Sequence, residues 1–153
     1  MCYLDKQNFS TVIASTPLVS IDLVVVNSND EVLLGKRVNK PAQGFLFVPG
    51  GRIQKNETMN ETFQRLTLDE LGVAFSIQHA ELLGPLTHLY HDYVFGDDVN
   101  THYVAIAYKL VVDLETLNLP LDSQHNQYQW LPVNVLLNSD DVHLHTKWYF
   151  QSS

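Results

Sequence analysis

The stretch from Gly51 to Val73, GRIQKNETMNETFQRLTLDELGV, decides how the middle of the chain folds. Between Glu57 and Leu71 it holds neither Pro nor Gly, and Gly72 stands where helices commonly close on a left-handed C′ residue. The spacing predicts a helix over 57–71, with Met59, Phe63, Leu66 and Leu71 as its apolar stripe. Glu57, Glu61, Arg65 and Asp69 recur every four residues and so share one polar face, with Glu70 near its edge. Upstream, Pro49-Gly50-Gly51 is a sharp break, and without Cβ atoms the two glycines can turn a backbone carbonyl toward that face. Carboxylate and carbonyl oxygens together suit Mg²⁺, which keeps waters and bridges phosphates. Taken alone, the stripe reads equally as an exposed helix laced by i,i+4 ion pairs.

Outward from this helix, residues 5–15 read as a short helix capped by Asp5, with Phe9, Val12 and Ile13 at helical spacing. Leu18 to Val26 is a β-branched and aliphatic run that ends in the turn Asn27-Ser28-Asn29-Asp30. Val32 to Arg37 then completes a hairpin. Pro41 and Gly44 mark a loop before the short β-like piece Phe45 to Val48. Strands are expected near 80–90, 102–112 and 127–131, followed by a short helical C-terminus from about Val133. Strands around one central helix, with helical ends, predict an α/β (α+β) sandwich in which a mixed sheet lies between helices.

With 153 residues, 45% of them hydrophobic, the chain has the size and composition of one ordinary domain, expected here over 1–153. Nine Lys and Arg against 17 Asp and Glu leave a formal charge of −8. This balance speaks against nucleic acid and anionic membrane as partners, since both need a basic face. The single cysteine, Cys2, excludes internal disulfides, and no apolar run approaches the ~20 residues that span a bilayer. A cytoplasmic protein is expected. The few bases are clustered: Lys36, Arg37, Lys40, Arg52, Lys55 and Arg65 are six of the nine and include every arginine. Such a cluster on an acidic chain reads as an anion site or as a solvated charged face.

The register of Gly51, Glu57, Arg65, Glu70 and Gly72 resembles the Nudix box, here over residues 51–73: Gly, five residues, Glu, seven residues, Arg-Glu, an aliphatic, any residue, Glu-Glu, any residue, Gly, aliphatic. Two positions depart from it. Leu66 stands where Glu follows the arginine, and Asp69 replaces the first Glu of the pair. Leu66 ligates nothing, so one Mg²⁺ is expected rather than two or three. Nearly the whole chain resembles the atypical GDP-mannose mannosyl hydrolase subfamily. The matching segments are Ser15-Thr16-Pro17-Leu18-Val19-Ser20, Leu33-Leu34-Gly35-Lys36-Arg37, Val48-Pro49-Gly50-Gly51-Arg52, Arg65-Leu66-Thr67, Thr101-His102-Tyr103-Val104 and Gln124-His125.

That resemblance implies the Nudix fold, one Mg²⁺ per subunit, a homodimer, and hydrolysis of GDP-α-D-mannose to GDP and mannose by inverting attack at the sugar C1. It implies metal ligation by the Gly50 carbonyl, Glu70 and Gln124, diphosphate contacts from Arg37 and Arg52, and His125 as general base, whose ordinary pKa lies near neutrality. Tyr103 matches a phosphate-contacting tyrosine, and His88 a position near the sugar or phosphate. Tyr3, Leu4 and Phe9 correspond to positions that sandwich guanine. Arg65 reads more plainly as an orienter of Glu57 or Glu61. Asp22 lies inside an apolar strand, so it either points out of an edge strand or has a partner; the resemblance puts it at the sugar or beside a basic residue. His91, His143 and His145 read as surface residues, His79 as solvated and His102 as part of the sheet. GDP-glucose as a second substrate, a pyrophosphohydrolase cutting at phosphorus, and a non-catalytic nucleotide-sugar sensor are the competing expectations.

Overall fold

The computed structural model describes residues 4–117 and 125–151, and for 125–127 it describes the backbone alone. The chain order is α1 (Lys6–Ser15), β1 (Leu18–Val26), β2 (Glu31–Arg37), β3 (Leu46–Phe47), β4 (Gly50–Arg52), α2 (Met59–Leu71), β5 (Glu81–Tyr90), β6 (Thr101–Val111), β7 (His125–Pro132), α3 (Val133–Asn138) and α4 (Leu144–Lys147). A 3₁₀ turn, Trp148–Phe150, continues α4. The seven strands form one mixed sheet in the order β3-β2-β1-β6-β5, with β4 paired to β1 and β7 to β2.

Each layer follows from side-chain alternation along β1. Ile21, Leu23 and Val25 face α2 and pack with Phe63, Leu66 and Leu71. Val24 and Val26 face the other way, onto Val32, Leu34, Val48, Leu136 and Val142. Ser20 and Asp22 share the parity of Val24 and therefore look toward the C-terminal layer. β1 runs parallel to β6 along its whole length, from Leu18 opposite Tyr103 to Val26 opposite Val111. Its other edge is divided: Val26 pairs with Val32 of β2, whereas Ser20, Ile21 and Asp22 pair with Arg52, Gly51 and Gly50 of β4. The sheet opens where β1 exchanges one partner for the other, and the cleft described below lies at that point.

The central helix begins at Met59, two residues later than its spacing suggested. Thr58 takes the N-cap, its hydroxyl accepting from the Glu61 amide while the Glu61 carboxylate accepts from the Thr58 amide. Glu57 thus stays outside the helix. Gly72 closes it in the left-handed conformation at φ 75°. The buried face comprises Thr62, Phe63, Leu66, Thr67, Glu70 and Leu71, whereas Met59 is exposed. Glu70 belongs to the inward face rather than to the edge of a solvated stripe, because it lies one turn beyond Leu66.

Candidate active site

A cavity of about 160 Å³ opens where β1 changes partners, lined by Ser20, Asp22, Arg37, Phe47, Val48, Gly50, Gly51, Arg52, His88, Tyr90 and Tyr103. Five distant segments thus contribute to one cleft. Arg37 ends β2 and Arg52 ends β4, so both guanidinium groups come to the same opening. Each is laid against an aromatic ring: Arg37 over Phe47 at 5.5 Å from the ring centroid, and Arg52 over Phe9 at 4.4 Å. Phe9, expected at guanine, therefore lies beneath Arg52. Leu4 is exposed. Tyr3 and Gln124 fall outside the described residues, as does the side chain of His125, whose backbone pairs with Arg37.

The two glycines of β4 face opposite sides. A Cβ on Gly50 would lie 2.4 Å from the Ile21 carbonyl oxygen and 2.8 Å from Asp22 Oδ1. One on Gly51 would lie 2.7 Å from Leu66 Cδ2. A side chain at Gly50 would push β4 away from the β1 backbone, and one at Gly51 would displace the end of the Leu66 side chain. Leu66, the residue that departs from the box, is 4% exposed and fills the floor beneath Gly51. Arg65 grips Glu57 with two parallel bonds, Nε to Oε2 at 2.8 Å and Nη2 to Oε1 at 2.9 Å, and Nη2 also donates to the Arg52 carbonyl at 2.8 Å. It is a strut between α2, the preceding turn and β4. The pair holds the Glu57 carboxyl down to about 2.

Glu70 is 4% exposed and accepts a hydrogen bond from the Tyr128 hydroxyl at 3.0 Å. Burial pushes its carboxyl up to about 7, the Tyr128 bond opposing and Asp69 adding. Among the described residues no Lys or Arg forms an ion pair with it. No group of three His, Cys, Asp or Glu side chains among them is placed to hold a metal. Among the described residues Glu70 is thus a buried carboxylate without an ion-pair partner, and with the Gly50 carbonyl and an amide it supplies hard oxygen donors of the kind that suit Mg²⁺. Gly50 and Glu70 are the described residues of that set.

Beside the arginines the cleft meets an aromatic and histidine-rich group drawn from β1, β5 and the C-terminal segment. Asp22 is not on an edge strand, and its partner is a phenol rather than a base: Tyr149 donates its hydroxyl proton to Oδ2. Burial pushes the Asp22 carboxyl up to about 6, with Tyr149 and then Arg37 pulling it back. His88 is buried, with Nε2 3.4 Å from the Tyr149 oxygen. Its ring stacks on His145 at 4.4 Å and an interplanar angle of 13°. Burial, then His143, lowers His88 to about 4. Tyr103 is half-buried in the cleft wall; burial raises its hydroxyl, and Arg37 and Arg52 oppose that rise.

Two histidines expected at the surface are not there. His143 caps α4 with Nδ1 accepting from the His145 amide at 3.1 Å, and its ring stacks on Phe47 at 4.7 Å. His145 is buried against His88, Tyr90 and Trp148. The C-terminal segment folds back over β3 and β5, and this return has no local signal. Tyr149 and Tyr128 were unreadable for the same reason. Tyr90 was within reach, because it shares strand parity with His88. His79 and His91 are exposed and His102 lies in β6, as expected.

Residues 16–151 match the model of the NUDIX domain. The chain belongs to the Nudix family, whose hydrolases act on nucleotide derivatives, generally with a divalent metal. It is 40% identical over 124 residues to the low-salt glycan biosynthesis protein Agl8 of Haloferax volcanii, covering 81% of this chain and 76% of that protein. It is 27% identical over 123 residues to the uncharacterized Nudix hydrolase YvcI of Bacillus subtilis, covering 80% and 72%. Among solved structures, the MutT protein of Methanosarcina mazei Go1 superposes with a TM-score of 0.68 at 18% identity, covering 89% of this chain and 92% of that one. The NUDIX domain of Shewanella oneidensis NrtR, solved with ADP ribose, superposes at 0.65 with 19% identity, covering 96% and 97%. These likenesses establish a mixed-sheet Nudix fold. No helix among the described residues is long and apolar enough to cross a membrane.

Proposed function

We propose that this Nudix hydrolase cleaves GDP-α-D-mannose, with GDP-glucose as a further substrate, to GDP and free sugar by attack of water at the sugar C1. The observation that carries the reading is one cleft lined both by two arginines and by Asp22 and His88, which the Tyr149 hydroxyl bridges. A diphosphate suits the arginines, and the hydroxyls of a hexose suit the carboxylate and the imidazole. The buried Leu66 supports attack at carbon, since it removes a carboxylate from the phosphorus-directed set. The relative named for glycan biosynthesis is consistent with a sugar-bearing substrate.

In this reading Arg37 and Arg52 hold the diphosphate and neutralise charge as the C1–O bond breaks, with Tyr103 beside them. Asp22 and His88 hold the sugar. His125 takes the proton of the attacking water, and the C1–O electron pair leaves with GDP. Gly50, Glu70 and Gln124 would hold one Mg²⁺, which supplies positive charge at the leaving diphosphate when bound. Phe9 supports Arg52, while Tyr3 and Leu4 are left to the base. One domain over 1–153, a cytoplasmic location and a homodimer complete the reading; sedimentation measures the last.

The test is hydrolysis of GDP-α-D-mannose with Mg²⁺ in ¹⁸O-labelled water, with products read by mass spectrometry. Label in mannose and unlabelled GDP are expected. Label in GMP or in mannose 1-phosphate would place the attack at phosphorus and overturn the proposal, as would binding without turnover.

A further inference from the structure

Resting on that reading, we propose that Tyr149, which does not line the cleft, is the positioning residue that lets Asp22 discriminate between hexoses epimeric at C2. A phenol carries one proton, and Tyr149 gives it to Asp22 Oδ2. Its oxygen therefore meets His88 Nε2 as an acceptor, at 3.4 Å, which assigns the Nε2–H tautomer to His88. The three groups form one directed chain, from His88 through Tyr149 to Asp22.

Both ends of this chain are held. The His88 ring is pinned by face-to-face contact with His145 and by the flanks of Trp148 and Tyr149. Asp22 is fixed by its strand, paired through β4 on one side and β6 on the other. With Oδ2 committed to Tyr149, the carboxylate plane is set, and Oδ1 lies against Gly50, which lines the cleft together with Asp22. A carboxylate fixed in plane accepts well from a hydroxyl in one direction only. Axial and equatorial hydroxyls at one ring carbon project in different directions, so a fixed Asp22 tells them apart and a rotating one does not.

The experiment compares wild type, Tyr149→Phe, Asp22→Asn and the double variant in Mg²⁺. It measures kcat and KM for GDP-mannose and GDP-glucose, and the inhibition constant of GDP. Phe keeps the ring and removes only the hydroxyl. The expected result is a fall of about tenfold in the ratio of kcat/KM for the two sugars in Tyr149→Phe. GDP inhibition should stay within about twofold, and Tyr149→Phe should have no further effect on the ratio once Asp22 is Asn. An unchanged ratio in Tyr149→Phe, or an equal loss for both sugars and for GDP, overturns the inference and leaves the proposed activity standing. A wild type that turns over neither sugar nucleotide overturns both.

Discussion

Two regions beside the cleft treat their ionisable groups in opposite ways. Where α2 meets β4, charge is kept by close pairing. Arg65 and Glu57 lie eight residues apart and share two bonds, which hold Glu57 ionised down to about pH 2. Where β1 and β5 meet the C-terminal segment, desolvation wins: Asp22 is pushed up to about 6, His88 down to about 4 and His145 down to about 3. Asp22 and Tyr149 are 127 residues apart. Pairing over a short loop preserves charge at modest entropic cost, whereas in groups gathered from distant strands into a dry layer the charged forms are disfavoured.

The largest effect expected in the charged region is functional. Arg52→Gln should lower kcat/KM for the nucleotide sugar about 10²- to 10³-fold, measured by initial rates, because a donor aimed at developing charge is lost. A change of only a few-fold would dissolve the contrast between the two regions. Next comes Leu66→Glu, which restores the box residue but places a carboxylate beneath Gly51 in the core. It should destabilise the fold by about 3 kcal/mol in urea unfolding and produce no cleavage at phosphorus. Wild-type stability, or release of GMP, would mean that the floor of the site adapts and that the leucine is not structural.

Arg65→Leu should cost about 2 kcal/mol at pH 7 by removing the only cation from a half-buried Glu57 among the described residues, which keeps just its bonds from the Gln54 amide and the Thr62 hydroxyl. The sign of its pH dependence is set by Glu57, whose folded pKa lies below its ordinary value. The stabilisation is present above about pH 4.5 and fades as pH falls toward 2, so the gap between wild type and variant should close only in that window. A gap that closes near neutrality would show that the pair does not govern the charged region.

This difference between the regions also decides what could be read from the chain before it folds. The charged region is written in near neighbours. The glycine break, the helix, Gly72 as its stop and the spacing of Glu57 and Arg65 are all local; the structure moved the helix start, where Thr58 caps better than Glu57, left Met59 exposed and turned Glu70 inward. The hairpin of β1 and β2 was equally local. The parallel pairing of β1 with β6 was not, because nothing in either strand names its partner. The return of the C-terminal segment over β3 and β5 escaped for the same reason: His143 and His145 sit in a polar stretch that reads as surface. Their burial is decided by Phe47, His88 and Tyr90, residues far away in sequence.

The histidine-rich region has a test of its own in His145. Its ring meets His88, His143, Tyr90 and Trp148, and burial, then His88 and His143, lowers it to about 3. The unfolded chain binds a proton at this residue once the pH drops below about 6.5, while the folded protein refuses it until about 3. Wild-type stability therefore decreases on acidification, and this histidine's share between pH 7 and pH 5 is about 2 kcal/mol. His145→Phe keeps an aromatic ring against His88 and has no proton to refuse. The loss of stability from pH 7 to pH 5, measured by urea unfolding at both, should be smaller in the variant by about that amount. Asp22 and Glu70, whose raised values act in the opposite direction, are present in both proteins and cancel in the comparison. Equal losses in the two proteins would mean that folded His145 accepts a proton above pH 5. In that case burial does not keep this histidine neutral, and the two regions would differ in shape alone.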